Sequence, residues 1–288
     1  MGGERRPTSF YVLLGFFVLF VLFLYGPIVT IVILSFQGPD GGLVFPMRGV
    51  SLHWFADLFR EQSIGNIGGA FRRSLVLGLV VMVLTVIFSY LAGLAFRRHF
   101  KGATLLFYIA IASLIMPSVV VSLGIGAGFE LLGLPRSWWG SALGAHLTWT
   151  LPFGLLIMFA VFNRFDPSYE EAARDQGATG WQTNRHVILP IVAPSLIGVA
   201  LFGFTLSYDE LARTSQAVGY ENTLPLELQA MQANTTTPVI YALGTLTTGL
   251  SFLVIFSTIG AVLWLRRRSA KRAATPADDP DAVAIPAE

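Results

Sequence analysis

Long apolar runs separated by short polar segments dominate the chain. A helix needs roughly 20 apolar residues to cross a hydrocarbon core about 30 Å thick. Runs of that kind fall at 10–36, 74–96, 104–128, 141–163, 191–207 and 239–265. They predict six transmembrane helices and an all-α, polytopic membrane protein. The first run follows Arg5 and Arg6 as a secretory leader would. It is much longer than the roughly 7–15 apolar residues of a cleaved leader, so it is read as a retained span.

The polar segments carry their own patterns. Within 37–73, GPDGG supplies turn formers and SLHWFADLFRE predicts a short helix. Ser51 would cap it, Leu52, Phe55, Leu58 and Phe59 would share one face, and Trp54 would anchor at the outer interface. The tail 269–288 is rich in Ala, Pro and Asp with no apolar period, which predicts disorder beyond a single membrane domain at 1–268.

Composition agrees with the pattern. Of 288 residues, 54% are hydrophobic and 12% charged, against about a quarter charged in soluble domains. The absence of cysteine excludes disulfides and thiolate metal sites. A net charge of +2 implies no nucleic-acid partner. Lys and Arg near span ends favour the cytoplasm. With both termini inside, 13 basic residues lie in inner segments and 6 in outer ones. The pair Arg72–Arg73, just before the second span on the outer side, runs against that orientation.

Function is bounded by what the spans lack. Ion-driven transporters place ionisable groups inside the membrane, yet within the boundaries above the only such group is His146, read as a helix-end imidazole near the outer interface. Neither lysine, Lys101 or Lys271, stands in a phosphate-binding Gly-Lys-Ser/Thr loop. No catalytic constellation and no metal site are predicted: the histidines are far apart in sequence and no nucleophile motif occurs. Uphill transport would therefore draw its energy from a partner, while a gradient-driven transporter or channel stands as the rival from another class.

The segment 164–190 breaks the apolar pattern. Asp166 with Pro167, or Ser168 with Glu171, would start a helix whose first turn holds Glu170 and Glu171. Gly177 would stop it in a left-handed conformation, and a second short helix would run from Thr179 towards Arg185, with Pro190 at the entry to span five. Small side chains at Ala172 and Ala173 would let another surface approach closely.

Glu171-Ala172-Ala173, then Gly177, then Val187, Leu189 and Pro190 resemble the EAA loop of ATP-binding-cassette importer permeases, with valine for the commoner isoleucine. GVSLHWFADLF, LSYDELARTS and NTLPLELQAM are similar to the second permease of spermidine/putrescine importers. The resemblance implies a type I importer permease bundle in a bacterial inner membrane. Glu170, Glu171, Ala172, Ala173, Asp175, Gly177, Val187, Leu189 and Pro190 would then dock on an ATPase. It implies a heterodimer with a homologous permease, two copies of an ATPase that uses ATP and Mg, and a solute-binding protein outside. This chain itself would bind no cofactor.

Asp209 and Glu210, at the outer end of span five, would suit a cationic amine, and a polyamine ranks first as cargo. Arg213, one turn beyond, would neutralise part of that field and leaves an opine or amino-acid-like zwitterion as the alternative. Trp138, Trp139 and Trp149 are read as an aromatic belt, with a cation-π site for an amine as the sharper alternative.

Overall fold

The computed structural model describes residues 7–58, 66–98, 100–234 and 237–273. Twelve α-helices are defined there: α1 (Thr8–Leu34), α2 (His53–Asp57), α3 (Ile67–Phe96), α4 (Ala103–Ile115), α5 (Ser118–Leu131), α6 (Ser141–Asn163), α7 (Ser168–Asp175), α8 (Gly180–Thr183), α9 (Leu189–Tyr208), α10 (Ala212–Ala217), α11 (Leu224–Asn234) and α12 (Val239–Ala273). A π-turn, Asn184–Ile188, joins α8 to α9. Five helical segments are long and apolar enough to cross a membrane, and α4 with α5 makes a sixth if the bent pair counts as one span.

That pair corrects the expected straight span at 104–128. The chain bends by 110° between α4 and α5. Met116 is extended (φ −71°, ψ 137°), because the ring of Pro117 disfavours a helical residue before it and offers no N–H to continue the ladder. The other spans lie where the apolar runs put them, but several helices extend further. α3 begins seven residues early, capped by the Asn66 side chain accepting from Gly69 N at 2.8 Å. α3 thus includes Arg72 and Arg73, and α5 includes Glu130, so the spans are not free of charge at their ends. Arg73 is held locally, donating to the Asn222 carbonyl at 2.8 Å and lying 3.8 Å from Glu221. α12 runs to Ala273, five residues into the segment expected to be disordered; 274–288 lie outside the described residues.

Helix α3 is the hub, packed against both α6 and α9. Small residues permit the approach, as in membrane bundles where dispersion replaces the hydrophobic drive. A Cβ on Gly154 of α6 would run into Ser89 Oγ, and one on Gly203 of α9 would sit 3.3 Å from the Met82 backbone. Thr85 donates to Thr150 across the α3–α6 seam at 2.8 Å. The loop after α1 is organised by buried Gln37, which donates to the Gly42 carbonyl and accepts from Arg48 N.

The short helix α2 differs from its expectation. It spans five residues, with Ser51 Oγ accepting from His53 N at 3.0 Å; Phe59 lies outside the described residues. Trp54 is not an interface anchor. It is 7% exposed and packs in a core with Leu58, Ile67, Phe204, Tyr208 and Leu224, while Leu52 of the expected apolar face points outward.

Filling the α3–α6 seam should destabilise the bundle. Gly154→Ile is expected to cost about 1–3 kcal/mol through overpacking against Ser89 and Thr85. Gly198→Ala, with nothing within 4 Å of its Cβ, should be near neutral. Thermal midpoints of the two variants in detergent check this.

Candidate functional site

The polar segment after α6 folds into an elbow. Asp166 accepts from Ser168 N at 2.9 Å, and that bond holds its carboxyl below the usual range. Asp166 thus caps the start of α7 through its side chain, with Pro167 already in helical conformation (φ −61°, ψ −23°), while Ser168 lies inside the helix and is not its cap. Glu170 and Glu171 occupy the first turn and Arg174 the last, as the helix dipole favours. The helix ends at Gly177, φ +80°, with Gly177 N bonded to the Arg174 carbonyl and Ala178 N to the Ala173 carbonyl. This paired termination needs a left-handed residue, which glycine adopts without strain.

The second arm starts at Thr179. Its side chain accepts from Gln182 N and its N–H donates to Gln182 Oε1 at 2.8 Å, a reciprocal capping box. From Gly180 the chain is helical without interruption to Tyr208. Pro190 therefore does not open a new helix. It lacks an N–H for the His186 carbonyl, and the helix widens just before it into the π-turn, where Leu189 N reaches back to the Asn184 carbonyl. Motion of α8 would pass into α9 through one continuous rod.

Glu171, Ala172, Asp175, Gly177 and Pro190 are exposed, and Leu189 is 36% exposed. Ala173, Gly177 and Val187 come together with Gln182 and His186 around a notch of about 400 Å³ between the two arms. Tyr169 on α7 and Trp181 on α8, not singled out by the sequence reading, stand 54% and 69% exposed.

Glu170 faces the other way. It forms an ion pair with Arg97 at the end of α3, with Arg174 at 3.8 Å. The Arg97 guanidinium lies over the rings of Phe162 and Phe165 at 5.2 and 4.8 Å. Tyr90 donates to Asn184 Oδ1 at 2.5 Å, so α3 also grips the π-turn. Sequence reasoning counted Arg97 only as a positive flank; its register on α3 relative to Glu170 is a long-range fact no local pattern carries.

At the opposite end, Asp209 and Glu210 part company. Asp209 closes α9 and is open to solvent on one side; burial of the other raises its carboxyl above the usual range. Glu210 accepts from Arg213 N at 2.9 Å and lies 3.9 Å from that guanidinium, so its charge is offset within the chain. Arg213 is fully buried, donates to Ser118 Oγ at 2.9 Å, and sits 4.3 Å over Trp149. Trp149 is therefore the π partner of this arginine rather than part of a belt, whereas Trp139, 64% exposed, fits one. His146 is a core group, 1% exposed, bridging Ser207 and Thr214 at 2.7 and 2.8 Å, not a helix-end imidazole.

Breaking the Arg97–Glu170 pair should loosen the elbow. Arg97→Glu or Glu170→Arg alone is expected to cost roughly 2 kcal/mol of local stability, with the double reversal recovering much of it. Hydrogen exchange of the α7 amides in the three variants is the measurement.

Residues 85–271 match the family described as binding-protein-dependent transport system inner membrane component. The chain is 29% identical over 255 residues to the spermidine/putrescine transport system permease protein PotC of Haemophilus influenzae, covering 88% of this chain and 97% of that one. It is 29% identical to the putrescine transport system permease protein PotI of Escherichia coli, over 88% of this chain and 89% of that one. It is 30% identical to the trehalose transport system permease protein SugB of Mycobacterium tuberculosis over 65% of this chain and 61% of that one. A solved bacterial ABC transporter that imports the acidic polysaccharide alginate shares the fold, with a TM-score of 0.63 at 16% identity, covering 91% of this chain and 99% of that one. The match over most of the helical bundle, elbow included, makes this chain a member of the binding-protein-dependent transport inner membrane component family.

Proposed function

We propose that this chain is the membrane subunit of an ATP-driven importer whose cargo is a polyamine. The observation that carries the reading is the exposed elbow 164–190, a pair of arms with a notch at Ala173, Gly177 and Val187, the second arm joined to α9 without a break. The resemblance of the segment to an EAA loop supplies its role. An ATPase partner docks on the elbow, using ATP and Mg that this chain does not bind. Two ATPase copies, a homologous permease and an external solute-binding protein complete the assembly, in a bacterial inner membrane with both termini cytoplasmic.

Polyamine cargo draws support from the relatives whose names carry spermidine and putrescine. The argument for a zwitterion rested on Arg213, and that guanidinium is fully buried and engaged with Ser118 and Trp149. Asp209 is then the acid available to an ammonium at the outer mouth.

Docking is tested at Gly177. A left-handed backbone costs a bulky residue about 1–2 kcal/mol, and the side chain would enter the notch. Gly177→Leu is expected to lower ATPase retention on the purified assembly roughly tenfold; unchanged retention and unchanged transport would refute the elbow as the docking surface.

Cargo capture should depend on pH through Asp209. Its carboxyl is raised by burial, so the anion that attracts an ammonium is lost, as pH falls, at a higher pH than for an ordinary aspartate. Uptake of labelled putrescine into proteoliposomes should show KM rising as pH falls. Asp209→Asn should raise KM roughly tenfold and flatten the dependence.

A further inference from the structure

Two cavities meet at Ala95. One, about 600 Å³, is a trough between α3, α4 and α6, lined by apolar side chains including Phe88, Ala92, Leu106, Ala110, Leu151 and Leu155. The other, about 630 Å³, is a polar basin at the end of α3, lined by Arg97, Arg98, Arg174, Glu170 and Thr183. Ala95 lines both. On α3, Phe88, Ala92 and Ala95 follow one another at steps of four and three residues, which puts them on one stripe. That stripe is apolar for about 10 Å at helical rise, and Arg98 follows just past the helix end at Phe96, where it lines the basin.

The lining decides what could occupy such a site. A cationic solute in the trough would lose its hydration with almost nothing to replace it. Ser113, one of the few hydroxyls there, already donates to the Thr148 carbonyl. A hydrocarbon chain loses nothing in the same place. The basin holds three guanidinium groups against one carboxylate, and Glu170 is already paired with Arg97. Glu170 also lies 3.8 Å from Arg174, whose side chain is 62% exposed, so one carboxylate is shared between two guanidinium groups and, with Arg98, the basin keeps excess positive charge.

We infer that an anionic glycerophospholipid seats here, one acyl chain along the trough and its phosphodiester between Arg98 and Arg174. Basic pockets between membrane helices at the interface suit such headgroups, and the bilayer supplies the ligand at high local concentration. Because Glu170 and Arg174 belong to α7, the bound headgroup touches the elbow itself. The lipid would act as a third wall of the joint, alongside α3 and the π-turn.

Native mass spectrometry of the purified assembly, supplied with phosphatidylglycerol or phosphatidylcholine, tests this. Phosphatidylglycerol should be retained in preference, Arg98→Gln should weaken its retention about fivefold, and Ala95→Trp, which keeps every arginine but plugs the junction, should abolish it. Inorganic phosphate at millimolar concentration should not displace the lipid. Equal retention of both lipids, indifference to the variants, displacement by phosphate alone, or a cross-link from the homologous permease to Ala95→Cys would each overturn the site. Arg98→Gln, at an exposed position, carries the test if Ala95→Trp fails to assemble. Lipid retention reads independently of cargo, so its failure leaves the transport reading standing.

Discussion

Inside a bilayer no water is available to a backbone N–H or C=O, and each unsatisfied group costs several kcal/mol. Every place where this chain interrupts a membrane helix must therefore supply other partners, and the architecture follows from how it does so. At Pro117 the span bends by 110° and opens a corner, which α10 fills. α10 is only six residues long, too short to satisfy its own carbonyls. Ser122 donates to the Arg213 carbonyl, Arg136 to that of Gln216, and Ser141 to that of Ala217. The bend and the short helix stabilise one another. The Arg213 side chain, reaching back to Ser118 at the start of α5, pins the two together.

The second interruption solves the same problem differently. Pro190 removes one donor, and a π-turn keeps the rod intact instead of breaking it. Continuity has a mechanical consequence: the second arm of the elbow and α9 form one rod from Gly180 to Tyr208, joined to α7 through the left-handed turn at Gly177. α3 restrains both arms, through Arg97 on α7 and Tyr90 on the π-turn. Its other end is tied to the loops opposite the elbow, where Ser74 accepts from Leu224 N and Arg73 holds Asn222. A displacement of the elbow would therefore reach the opposite end of the bundle by two routes, along α9 and along α3.

Span count, elbow and left-handed stop were legible in the sequence because each depends on local composition or on one residue's conformational range. Gly177 between two cappable runs reads correctly because only glycine takes φ +80° cheaply. The misreadings share a different cause. Trp54, Trp149 and His146 each match a generic membrane-interface pattern, but their surroundings come from residues at least 60 positions away or on other helices: Phe204 for Trp54, Arg213 for Trp149, Ser207 and Thr214 for His146. Pro117 was visible, but a proline can kink a helix slightly or fold it over. The choice lay in whether another element, α10, was available to fill the corner.

The acid pair at the end of α9 shows how such long-range facts alter a functional reading. Two adjacent carboxylates suggested a doubly charged mouth for a cation. Adjacent residues at a helix end point in different directions, and Glu210 turns inward to the Arg213 it needs to offset, while Asp209 turns to solvent. Arg213 is itself required inside, because the corner at Pro117 needs its bond to Ser118. The arginine that looked like a determinant of cargo is thus a consequence of the helix break. One acid, not an acid pair beside a cation, is open to solvent at that end, and a single partly buried carboxylate would discriminate for an ammonium by charge more than by shape. Finer selection among amines would then rest with the protein that delivers the solute.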